Sequence, residues 1–281
     1  RYSQGIRRFH NIGIIIPEII TTFYMTFVYE AQAALRKQGY KVMIAISNEN
    51  PEQERENILM MEQLRVDGIL MSACDKEHNV DLYNKVIERG IPIVFFDRTV
   101  GKVNASQVRM DDYIMAFFMV EALLRKGYKH IIHIPGPAHI RNSNERLRGY
   151  RDALEKFHVE YHDYDILPPA LSAEKGSRVM EQFMKRNVPF YAVFGFTETA
   201  VLGAKSVLQK HGLGIPEDVA LCCMSGTALA TLSHPHLTAV EQPIEKMAHE
   251  SCRLLLEHLA DDVKKIEDIT LRGEIVMRES V

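Results

Sequence analysis

The 281-residue chain carries 34 Lys and Arg against 37 Asp and Glu, a formal net charge of −3, which argues against a surface built to neutralise nucleic-acid phosphates. Its 46% hydrophobic and 25% charged residues are ordinary for a soluble globular protein, and its length suits two lobes better than one core. No apolar run reaches the roughly 18 residues of a membrane span, and residues 1–10 are too polar and basic for a signal peptide. The first residue is Arg1 rather than a methionine, so a trimmed N-terminus is expected.

Strand and helix alternate along the chain. Residues 11–16 (NIGIII) are an apolar strand, and a helix over 23–38 ends at Gly39. A strand at 41–46 leads to a helix over 51–65, with Asn50 as its cap and Pro51 in its first position. A strand at 67–71, a helix at 80–89 closed by Gly90, and a strand at 92–96 (PIVFF) follow. A short strand at 107–110 and a helix at 112–126, stopped by Gly127, precede the strand 130–134. The Pro135-Gly136-Pro137 turn then restarts the pattern. Helices are expected at 144–157, 173–186, 199–210 and 243–259, and strands near 165–167 and at 192–194, 219–223, 236–240, 270–273 and 275–278. The strand runs are continuously apolar, as in a parallel sheet covered by helices on both faces. The expected fold is therefore α/β, with two doubly wound parallel-sheet lobes facing a cleft lined by carboxyl-edge loops.

Cys74, Cys222, Cys223 and Cys252 have neither a disulfide framework nor zinc spacing, which fits a reducing cytoplasm. No GxSxG, HExxH or phosphate-loop motif is present, and no carboxylate pair has glycosidase spacing, so no enzyme and no cofactor are expected. The HPH triplet at residues 234–236 has ligand-like spacing but sits in a proline turn, and no metal is expected there.

Six motifs occur in a telling order: IGIIIP at 12–17, VDGIL at 66–70, GIPIVFFDR at 90–98, ERLRGYRDAL at 145–154, GIPEDVAL at 214–221 and HPHLTAVEQP at 234–243. Together they resemble the effector-binding core of the lactose-repressor/galactose-repressor (LacI/GalR) family of bacterial transcription regulators. The resemblance implies the periplasmic-binding-protein type I fold, two lobes joined by three crossings near residues 135, 240–242 and 265–270. The lobes would then be 11–134 with 241–265, and 135–240 with 266–281, after a residual linker at 1–10. It further implies a homodimer, with interface side chains on helices such as 81–89, and operator DNA bound through an absent helix-turn-helix. The effector would be a small carbohydrate or derivative. A periplasmic sugar-binding protein is the alternative, and a protein corepressor a third possibility.

Residue by residue, the resemblance places effector contacts at Thr22, Phe23, Tyr24, Asp97 and Arg98 in the first lobe, and at Arg146, Thr197, Glu198 and Ser225 in the second. An aromatic face covers the apolar side of a pyranose, although Phe23 and Tyr24 could equally pack into the core. An Asp-Arg pair can accept from and donate to one diol, or simply form a salt bridge between neighbours. Arg146 is the leading candidate, since a guanidinium forks two hydrogen bonds without losing its charge; capping its own loop or pairing with a surface acid is the simpler alternative. Asp111-Asp112 is expected at the cleft or at a helix N-terminus. At Ser225-Gly226 the family pattern has two acids. That loss, beside Arg98 and Arg146, leads to the expectation of an anionic effector such as a sugar acid or sugar phosphate.

Overall fold

The computed structural model describes residues 8–260 and 265–281. In chain order the elements are β1 (Asn11–Ile16), α1 (Thr22–Lys37), β2 (Lys41–Ile46), α2 (Pro51–Gln63), β3 (Gly68–Met71), α3 (Val80–Glu88), β4 (Ile93–Phe96) and β5 (Ser106–Met110). Then come α4 (Asp112–Arg125), β6 (Ile131–Ile134), α5 (Arg141–Lys156), a 3-10 turn (Asp163–Asp165), α6 (Ala173–Met184), β7 (Ala192–Gly195) and α7 (Glu198–Lys210). The chain finishes with β8 (Ala220–Gly226), α8 (Leu229–Leu232), β9 (Thr238–Glu241), α9 (Ile244–Ala260), β10 (Asp268–Leu271) and β11 (Glu274–Val276).

These elements form two units, each with its own sheet. The first takes residues up to Arg109 together with Ile244–Leu271, and its strand order is β10-β5-β4-β3-β1-β2. The pairs β1–β2, β1–β3, β3–β4 and β4–β5 are parallel. The second takes Met110–Pro243 with Arg272–Val281, in the order β11-β9-β8-β7-β6; only β11 is known to run antiparallel to its neighbour. The two doubly wound parallel-sheet units anticipated from the alternation are thus present. Strands β3, β4, β6 and β7 are buried throughout, which is why their sequences show no polar alternation. Among the described residues no helix is long and apolar enough to cross a membrane.

Local chemistry fixes several boundaries. The Asn50 side chain accepts from the backbone N–H groups of Glu52 and Gln53, and Pro51 occupies the first turn of α2, as expected. Helix α9 packs against α1 and the β3–β4 face of the first unit, where Gly68 lets Leu255 approach; a Cβ on Gly68 would lie 2.8 Å from Leu255.

The lobe boundaries differ from those expected. The first crossing falls between Arg109 and Met110, not near residue 135, and the third falls between Leu271 and Arg272. Strand β6 pairs with β7 in the second sheet, Ile131 to Ile134 against Ala192 to Gly195. Helix α4 goes with it because it lies against α5: Gly149 sits so close that a Cβ there would be 2.5 Å from the Tyr113 carbonyl. Strand β9 belongs to the second sheet, so residues 241–243 leave the first lobe, whereas β10 joins the first. Near 165–167 a 3-10 turn and a single bridge, Ile166 beside His133, replace a full strand. Of the expected linker, residues 1–7 lie outside the described residues; Phe9 and His10 donate their backbone N–H groups to Asp67 at 3.0 and 2.6 Å.

Candidate functional site

In each unit the chain order reverses across one pair of neighbouring strands. Such a switch point opens a crevice at the carboxyl edge, because the loops that follow the two strands leave toward opposite faces. In the first unit it lies between β1 and β3, and in the second between β6 and β7, since the chain goes from β6 first to Ile166 and only later to β7.

At the first switch point, Tyr24 from the start of α1 donates its hydroxyl to Asp97 Oδ2 at 2.7 Å and meets the Ser72 hydroxyl, from just after β3, at 2.9 Å. Burial drives the Tyr24 pKa well above its ordinary value, so the phenol remains a donor. Asp97 itself has φ 59°, the left-handed region that side chains rarely adopt, and Asn48 and Glu49 after β2 share it at 51° and 57°. Arg98 is 6% exposed and holds Glu49 with two bonds of 2.8 Å, Nη1 to Oε2 and Nη2 to Oε1. Burial works against the Arg98 charge, but the surrounding Tyr24, Glu49 and Asp97 outweigh it and raise the pKa. Glu18, also buried, accepts from the Ile20 and Thr21 backbone N–H groups and from the Thr21 hydroxyl, which pins the loop after β1.

At the second switch point, Arg146 in the second turn of α5 is 3% exposed. Its Nε donates to Asp112 Oδ1 at 2.7 Å, its Nη1 to the Phe196 carbonyl just after β7 at 2.7 Å, and its Cζ sits 4.3 Å from the centre of the Phe196 ring. Thr197 caps α7, accepting from Ala200 N at 3.2 Å while donating to the Leu171 carbonyl at 2.9 Å. The Glu198 carboxylate accepts from both the backbone N–H and the hydroxyl of Thr227, at 2.9 and 2.6 Å. Ser225 Oγ accepts from Gln242 Nε2 at 2.9 Å. A Cβ at Gly226 would fall 2.4 Å from the Ala239 Cβ, so the missing acid at this position reflects a close β8–β9 approach as well as a change of chemistry.

All nine candidate residues therefore sit at a carboxyl edge or in the first turns beyond it. Tyr24, Asp97 and Arg98 are brought into one network, with the Arg98 guanidinium 5.9 Å from the Tyr24 ring centre. Thr22 is exposed in the first turn of α1. The rings of Phe23 and Tyr24 are buried, 3% exposed each, so neither offers a face; the apolar groups displayed by that loop are Ile19 and Ile20. Asp111 caps α4 through Ile114 N at 3.0 Å, as a helix N-terminus element should. The Arg98 guanidinium holds Glu49, and the Asp97 carboxylate accepts from the Tyr24 hydroxyl. Glu49, Ser72, Phe196 and Gln242 escaped the sequence argument, and only the polar NEN run ahead of Pro51 signalled any of them.

The cationic surplus expected at Arg98 and Arg146 is absent. Glu49 and Asp112 each place a carboxylate on one of these guanidiniums at 2.7–2.8 Å, so the loss of an acid at Gly226 leaves no unmatched charge on either arginine.

The family described as "Periplasmic binding proteins and sugar binding domain of LacI family" matches residues 9–269. The HTH-type transcriptional regulator CelR of Thermobifida fusca is 27% identical over 281 residues, covering 98% of this chain and 82% of that protein. The HTH-type transcriptional regulator DegA of Bacillus subtilis (strain 168) is 25% identical over 275 residues, covering 98% and 81%. Among solved structures, the complex of transcriptional regulator CelR with cellobiose superposes with a TM-score of 0.88 at 27% identity, over 98% of this chain and 85% of that one. The transcription regulator CcpA of Lactococcus lactis, at 23% identity and TM-score 0.87 over 98% and 99%, shares the fold.

Proposed function

The chain belongs to the family of periplasmic binding proteins and LacI-family sugar-binding domains, and on that premise we propose that it is the effector-binding core of a transcription regulator whose ligand is a neutral carbohydrate. The observation that carries the choice of ligand is the pairing of both buried arginines. A guanidinium held by a carboxylate presents donors and acceptors side by side, which suits neighbouring hydroxyls, and it has no spare charge to offset the desolvation of a phosphate. Exposed Ile19 and Ile20 offer apolar cover for a sugar ring next to those polar groups. The cellobiose held by CelR, a relative over nearly the whole chain, supports the same ligand class. The carboxyl-edge residues would contact the ligand, and its binding would alter DNA binding by the regulator.

A reader of a two-half-site operator needs a twofold axis, so a homodimer is part of the proposal. The regulator names of the relatives favour this reading over a transport protein, and no catalytic step is assigned. Four buried free thiols suit a cytoplasmic location. Calorimetric titration with neutral mono- and disaccharides and with their phosphates tests the ligand class. The expected result is saturable binding of a neutral sugar, with its phosphate weaker by about tenfold or more, roughly 1.4 kcal/mol. A phosphate that binds more tightly than its parent sugar overturns the neutral ligand, and silence across a broad panel overturns the carbohydrate.

A further inference from the structure

Two histidines in a proline turn gain a third neighbour in the fold. His234 and His236 flank Pro235 ahead of β9, with ring centroids 4.9 Å apart. Glu279 returns beside them from 43 residues along the chain. Its carboxylate accepts from the His236 backbone N–H at 2.8 Å and stands 3.8 Å from the His236 Nδ1. Taking one ligand atom from each residue, the three lie within 4.8 Å of one another. All three belong to the second unit, and each is at least partly open to solvent.

The backbone holds the two segments together independently of these side chains. The Ser280 N–H donates to the His236 carbonyl at 3.0 Å, and its hydroxyl donates to the Leu221 carbonyl at 2.6 Å and accepts from Thr238 N at 2.7 Å. Ser280 is 1% exposed, so Glu279 is displayed from an anchored position.

We propose that His234, His236 and Glu279 form a surface site for a late divalent transition-metal ion, with zinc as the reference ion. Two imidazoles and one carboxylate suit zinc, nickel or copper, whereas magnesium and calcium call for oxygen ligands alone. Around a tetrahedral zinc at 2.0–2.2 Å, ligand atoms stand about 3.3–3.6 Å apart. On binding, the ligand atoms, now within 4.8 Å of one another, would draw in to that range. Water completes the coordination, as at other three-ligand sites. The ion ties residues 278–281 to the turn before β9, and because it binds only the folded arrangement it raises thermal stability. A proline turn alone gives no reason to expect a metal at the triplet, and the third ligand is invisible until residues 278–281 are placed beside it.

Calorimetric titration of the untagged protein with zinc chloride and with magnesium chloride, alongside thermal unfolding in each salt, tests the site. Zinc is expected to bind saturably and raise Tm, magnesium to do neither. His234→Gln and Glu279→Gln should each weaken zinc binding by about tenfold or more while leaving the circular dichroism of the apo protein unchanged. The Glu30, Glu245 and His249 group of the first unit meets the same distance test but offers one imidazole instead of two, so His249→Gln should leave the tighter zinc-binding phase as it was. No saturable zinc binding, undiminished binding in His234→Gln or Glu279→Gln, or loss of binding in His249→Gln would overturn the proposal.

Discussion

Arg146 illustrates how burial changes the consequence of a single substitution. A residue held only to grip a ligand could be truncated without harm to the fold, but this guanidinium is 3% exposed and bonded to Asp112 and to the Phe196 carbonyl. Arg146→Ala strips its guanidinium from a carboxylate that is itself 6% exposed, which costs roughly 3–5 kcal/mol of folding stability. Asp112→Ala made together with it should recover part of that loss, because the buried carboxylate that gave up its bond to Arg146 is then removed as well. Urea unfolding of the two single variants and the double variant measures the coupling, and strictly additive losses would show that the pair does not act as one. His133 makes a second case. Its Nδ1 donates to the Phe194 carbonyl at 2.8 Å, its Nε2 is buried without a partner, and burial, aided by Arg146 and Arg151, lowers its pKa to about 4. The folded pKa lies below the unfolded value of 6.5, so the neutral ring contributes its full stability above pH 6.5. That contribution is lost as pH falls toward 4, where the unfolded chain takes up a proton that the folded one refuses; the span amounts to roughly 3 kcal/mol. His133→Phe keeps the stacking on Tyr150 and Phe194 and should flatten the stability profile between pH 6.5 and 4. An unchanged slope would mean that other groups set it.

Elements were legible where their own residues decide them. Continuous apolar runs marked the central strands, and Asn50-Pro51 marked the start of α2 to the residue. What the sequence left undecided was membership. Helix α4, DYIMAFFMVEALLR, is apolar on nearly every side, so its pattern does not say which sheet it serves; its packing on α5 at Gly149 does. Strand β10 is short and largely exposed, and its place beside β5 depends on a partner more than 150 residues away. The candidate site shows the same division. Resemblance pointed to Tyr24, Asp97, Arg98 and Arg146, yet Glu49 and Asp112, the carboxylates that hold the two arginines, arise from pairings 49 and 34 residues apart.

For the whole molecule, the proposed homodimer makes a direct prediction. The outward residues of α3 are charged: Asp81, Lys85 and Glu88. The larger exposed apolar groups nearby in the chain are Ile44 of β2, Leu59 and Met60 of α2, and Leu64 at its end. Sedimentation should show a dimer at micromolar concentration, and Met60→Glu with Leu64→Glu should shift it toward monomer without unfolding; a monomeric parent would remove the dimer from the proposal. The three crossings carry a consequence for synthesis on the ribosome. The first unit lacks α9 until residues 244–260 emerge, and the second lacks β11 and the Ser280 anchor until residues 272–281 do. Neither unit has all of its elements at the point where its first strands are made. A nascent chain paused near residue 243 would carry two incomplete units, with the apolar face of α1 that α9 covers turned to solvent and to whatever chaperones meet it.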